Sequence, residues 1–124
     1  MLNPMILALV TAGAAPMAEP ATRPIVCRPF ALDKAQRERQ RTLLGEVRGL
    51  AQGTQALPDG IAVRFAAEDA VFLKVAEWIS LERRCCAFLD FALEWKEDGV
   101  WARLTGPEGV KEFLAAEMGI TPSR

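Results

Sequence analysis

Hydrophobic and polar positions change period several times along the chain, and each change marks an element. Leu43, Leu44, Val47, Leu50 and Ala51 recur at helical spacing behind a charged stretch carrying Lys34, Arg37, Glu38, Arg39 and Arg41. This predicts a helix from an Asp33 N-cap to about Ala51, with its first half in solvent. Gly53 and then Pro58-Asp59-Gly60 punctuate the chain, and Ile61, Val63 and Phe65 alternate with Ala62 and Arg64, which predicts a strand with those three residues on one face. After Glu68 and Asp69 the spacing of Phe72, Val75, Ala76 and Ile79 is helical again and predicts the main core helix, extending to about Cys86. Phe91, Leu93 and Trp95 then alternate with Ala92, Glu94 and Lys96, Asp98-Gly99 supplies a turn, and residues 100–105 return as the partner strand of a hairpin. A last helix opens at Thr105-Gly106-Pro107-Glu108, with Pro107 near its first position. It turns Val110, Phe113, Leu114 and Met118 inward and ends at Gly119. Ahead of all these, Ile25 to Phe30 is β-prone but contains Pro29, which suits an edge strand or an extended lead-in.

The order is an α+β arrangement, a small antiparallel sheet of three to four strands packed by three helices. It occupies residues 25–119 as one domain, with 120–124 as a tail. A length of 124 residues leaves room for a single core, and 51% hydrophobic with 25% charged residues is the balance of a soluble globular chain. Residues 1–24 stand apart. Met5 to Val10 is apolar and Ala12-Gly13-Ala14 suits signal-peptidase cleavage, whereas the segment before them lacks Lys and Arg and contains Pro4. The reading is a candidate signal peptide or a disordered leader, followed by a proline-containing linker. The protein is periplasmic or secreted if the leader is cleaved, and cytoplasmic otherwise. No run of 18 or more apolar residues exists, so no spanning helix is expected.

Fifteen basic against sixteen acidic residues give a net charge of -1, which provides no global field toward nucleic acid or an anionic membrane, and neither is expected as a partner. The Arg-rich stretch up to Arg41 is interleaved with acids and lacks aromatics, so it reads as a solvated helix face. The absence of histidine and tyrosine excludes Ser-His-Asp and Cys-His catalysis, histidine metal ligands and a tyrosine acid. The carboxylates Glu77, Glu82, Asp90 and Glu94 read as solvated faces, and Gly106-Pro107-Glu108-Gly109 lacks the ending of a phosphate loop.

What chemistry remains is sulfur. The chain has three cysteines, Cys27, Cys85 and Cys86. The odd thiol stays free or bridges to another molecule, which admits a homodimer. Neighbouring Cα atoms lie about 3.8 Å apart, short of the roughly 4.4 to 6.8 Å that a relaxed disulfide spans, so an internal bond between Cys85 and Cys86 is disfavoured. Two thiolates at a helix end can converge on one soft ion, with Cys27 as a third sulfur. Arg83 and Arg84 favour thiolate there, while the negative end of the helix dipole opposes it. The alternatives are a redox pair, or small core residues, since Cys86 falls on the Phe72, Ala76 and Ile79 stripe.

The blocks Leu81-Glu82-Arg83-Arg84-Cys85-Cys86-Ala87-Phe88-Leu89 and Trp101-Ala102-Arg103-Leu104-Thr105-Gly106-Pro107-Glu108-Gly109-Val110-Lys111-Glu112-Phe113-Leu114 resemble a family of small, largely uncharacterised bacterial proteins. The resemblance runs from about Cys27 to the final helix. It implies that Cys27, Cys85 and Cys86 act jointly, since all three match cysteine positions of the motif, but it implies no settled activity. Two positions depart from the pattern: Ala87 stands where Pro commonly follows the cysteines, and Gln40 where His often closes the charged helix. The second departure weakens a mixed Cys/His site. The leading expectation is a soluble protein that binds a soft metal or metalloid ion through Cys85, Cys86 and Cys27 without turnover. The alternatives are a thiol-dependent redox enzyme or sensor, and a purely structural role.

Overall fold

A computed structural model describes residues 23–122; the candidate leader, residues 1–18, lies outside the described residues. Among those residues the chain forms helix α1 (Lys34–Leu50), strands β1 (Gly53–Leu57) and β2 (Gly60–Phe65), helix α2 (Asp69–Cys85), strands β3 (Asp90–Lys96) and β4 (Gly99–Thr105), and a short helix α3 (Val110–Phe113) that continues as one π-helical turn over Leu114–Met118. The α+β expectation holds: the sheet is four-stranded, antiparallel and open, in the order β1-β2-β4-β3.

Register explains why one face of this sheet is buried. Ile61 pairs with Leu104, Val63 with Ala102 and Phe65 with Val100, and side chains opposite each other in an antiparallel pair point to the same side. All six are buried. Phe91, Leu93 and Trp95 lie across from Leu104, Ala102 and Val100 and so share that face, as the alternation predicts. They sit on the edge strand β3, however, where cover thins toward the hairpin, and Trp95 is half exposed against Phe72, its ring 5.6 Å away. The opposite face carries Gln55, Glu94, Trp101 and Arg103 above the small Ala62.

Helix α1 starts at a complete capping box: the Asp33 carboxylate accepts from the Gln36 N–H, and the Gln36 side chain accepts from the Asp33 N–H. It lies alongside α2, and Arg39–Glu77 and Lys74–Glu46 ion pairs link their surfaces. In α2 the residues facing the core are Val71, Val75, Trp78, Glu82 and Cys85, a run at three- and four-residue spacing, with Leu81 also buried. Phe72 and Ile79 flank that stripe rather than form it. Residues 25–30 form no strand; the extended segment ends in a 3-10 turn at Pro29–Ala31. Pro107 also stands farther from the last helix than its position suggests, because its carbonyl accepts from the Val110 N–H in a turn and Gly109, at φ 94°, is the N-cap. Gly119, at φ 65°, ends the π turn in the left-handed conformation that glycine adopts without strain. Ile120 beyond it is buried in the same core. No helix among the described residues is long and apolar enough to cross a membrane.

Candidate functional site

The last turn of α2 sorts its residues by helical phase. Leu81, Glu82 and Cys85 turn inward, while Arg83 and Arg84 are exposed. The helix stops at Cys85, and Cys86 is its C-cap, with φ -112° and ψ 69°. Cys86 therefore leaves the helical stripe on which sequence spacing placed it. Its N–H donates to the Glu82 carbonyl and its own carbonyl accepts from the Leu89 N–H, so the chain turns immediately after the cysteine pair.

A helix C-terminus leaves carbonyls without intrahelical partners, and the lead-in segment supplies a donor. The Arg28 N–H donates to the Cys85 carbonyl at 2.8 Å, and the Cys85 thiol donates to the Arg28 carbonyl at 3.5 Å. A few residues upstream, Arg23 holds Asp90 with two guanidinium bonds of 3.1 and 2.7 Å and also donates to the Ala87 carbonyl. Bound at both ends, the segment lays Cys27 over the end of α2. There it faces the same recess as Cys85 and Cys86. All three cysteines are free thiols, Cys27 exposed and the other two buried. They line one recess of about 190 Å³ together with Gln40, Glu82 and Met118.

Glu82 is the unexpected member. Read from sequence as a solvated carboxylate, it is only 4% exposed. The Cys86 thiol donates to its Oε1 at 3.3 Å and the Gln40 amide donates to its Oε2 at 2.9 Å. Among the described residues it forms no ion pair. The sequence signal was present, because Glu82 follows Trp78 by four residues and precedes Cys85 by three, on the buried stripe itself. Gln40 ties α1 to the same group, and its carbonyl oxygen lies 4.0 Å from the Cys85 sulfur as acceptor.

These neighbours set the protonation of the thiols. Burial, the Glu82 charge and the hydrogen bond to Glu82 together push the Cys86 thiol far above its ordinary range. Partial burial raises Cys27 as well, opposed by the neighbouring Cys86 thiol. Both are therefore protonated at neutral pH, and the thiolate needed for nucleophilic or redox attack is scarce. Among the described residues no group of three or more Cys, Asp or Glu side chains already stands in an arrangement that holds a metal ion. Three thiols and the Met118 thioether share the wall of the recess. The helical spacing of Met118 marks it as a core residue and does not separate that role from lining the recess.

Comparison of the chain with family models, with curated proteins and with solved structures finds no match.

Proposed function

We propose that the protein binds a soft metal or metalloid ion at this recess, with Cys27 and Cys86 as principal ligands, Cys85 as a third sulfur and Met118 as a neutral soft donor. The observation that carries the reading is the meeting of cysteines from two distant segments at one opening, above a buried carboxylate that forms no ion pair among the described residues. Soft sulfur donors select ions of the Cu(I) type. The chain's own contribution is to hold the sulfurs together through the Arg28–Cys85 pair, to set the Glu82 carboxylate beside Cys86, and to keep the Cys27 and Cys86 thiols protonated until an ion displaces their protons. Binding accordingly releases protons and strengthens as pH rises.

The test is titration of the reduced protein with Cu(I) in competition with a chromophoric chelator, with arsenite as the metalloid arm, while free thiols are counted. The expected result is one ion per chain, a large loss of affinity in Cys27→Ser and Cys86→Ser, and all three thiols recovered on chelation. Thiol loss without a bound ion would favour the redox reading. Affinity indifferent to Cys27 would end the proposal.

A further inference from the structure

A second recess, of about 480 Å³, opens between the C-terminal half of α1, the core face of β2 and β4, and residues 119–121. It shares no lining residue with the thiol site. Its size lies within the roughly 300–1,000 Å³ of small-molecule sites, and its floor is the apolar surface of Val63, Phe65 and Leu104.

Two independent features separate it from a packing defect. The first is in the helix wall. Gly45 and Gly49 stand four residues apart on one face of α1, both line the recess, and a Cβ built on either meets nothing within 4 Å. Glycine inside a helix costs stability relative to alanine, and no described neighbour requires it here. Both glycines are exposed, so they leave the rim of the recess open to solvent. The second feature is polar. Trp78 lines the recess, is 1% exposed, and its indole N–H is buried with no partner among the described residues. At the mouth, the Arg48 guanidinium lies against Gly119, where an added Cβ would come within 2.8 Å of it. Among the described residues that guanidinium has no hydrogen-bond or ion-pair partner.

An apolar slot with one unpaired cation at its entrance complements a molecule with an apolar body and a single anionic head. We infer that this recess binds a small organic acid, its body on the sheet face beside Gly45 and Gly49 and its carboxylate at Arg48. The site is independent of the soft-ion reading and stands or falls separately from it.

The experiment uses the full chain carrying Trp95→Phe and Trp101→Phe, so that Trp78 is the sole tryptophan and its fluorescence reports the recess. Octanoate is titrated against octanol. The expected result is a saturable change with octanoate, at least tenfold weaker with octanol. Arg48→Gln should reduce octanoate affinity about tenfold and leave the octanol response alone. Gly49→Leu, which places a good helix former in the open space, should abolish the response without lowering the urea midpoint. Should that variant misfold, the exposed Arg48 substitution still decides the matter. Absence of a saturable signal overturns the inference, including the case in which another part of the chain fills the recess. Equal responses to acid and alcohol, or an unchanged affinity in Arg48→Gln, overturn it too.

Discussion

Replacing Glu82 by Gln removes the buried charge beside Cys86 while keeping the shape of the side chain and an oxygen for the Gln40 amide to donate to. The Cys86 sulfur and Glu82 Oε1 lie 3.3 Å apart, with both residues under 5% exposed. At that separation a thiolate and a carboxylate repel by roughly 5 kcal/mol at an effective dielectric constant of about 20. Each ~1.4 kcal/mol relieved is a factor of ten in the thiolate population. Glu82→Gln should therefore raise Cys86 reactivity at mildly alkaline pH by at least tenfold, and by up to about a thousandfold if little of the charge is screened. The assay is iodoacetamide alkylation followed by mass spectrometry in a Cys27→Ser, Cys85→Ser background, where Cys86 is the sole thiol and access is equal with and without the change. The same substitution alters stability in a defined direction. Because the folded Cys86 thiol is raised above its unfolded value, the unfolded chain loses its proton first. Wild-type stability is then complete below about pH 8.5 and falls as pH climbs above it. Glu82→Gln should flatten that alkaline decline. Identical alkylation profiles for the two proteins would refute the electrostatic account of the site.

Other outcomes follow from single contacts. Gly60→Ala should destabilise by several kcal/mol or prevent folding, because the new Cβ would lie 1.9 Å from the Leu104 carbonyl oxygen across the β2–β4 pair; an unchanged thermal midpoint would contradict the strand register. Leu114→Ala, at a fully buried position in the π turn, should cost about 2–5 kcal/mol in urea unfolding, and a smaller loss would mean that the turn does not seal the core. Arg23→Ala breaks an exposed ion pair worth less than about 1 kcal/mol. It should barely move global stability, yet it should speed hydrogen exchange at the Arg28 amide by loosening the lead-in, and unchanged exchange there would count against the tether. Gly49→Ala should raise stability by about 0.5–1 kcal/mol, since a Cβ there meets nothing; destabilisation would show the space is needed for packing.

Much of the fold was legible because alternation at Ile61, Val63 and Phe65, and helical spacing in 43–51, are one-sided burial patterns that only one element type satisfies. Strand β1 was not predicted as a separate strand. Its sequence, Gly53-Thr54-Gln55-Ala56-Leu57, is short, half polar and at the sheet edge, so its pairing with β2 carries the assignment rather than its own pattern. In α2 the spacing located the helix but shifted its buried face, since Phe72 and Ile79 fit the period as well as Val71 and Trp78 do. The identity of the thiols could be read directly. Their shared recess was expected only from the resemblance, because it depends on the backbone bond from Arg28 to Cys85, which no side-chain pattern encodes. Glu82 was discounted because charged residues are seldom buried without an ionic partner; two hydrogen bonds hold it here.

The joint action of the sulfurs is tested most directly by X-ray absorption at the copper edge of the Cu(I)-loaded, reduced protein, counting sulfur neighbours in wild type and in Cys27→Ser. The account predicts at least two sulfurs in wild type and one fewer after the substitution. An all-oxygen or nitrogen shell, or a sulfur count that Cys27→Ser leaves unchanged, would contradict it.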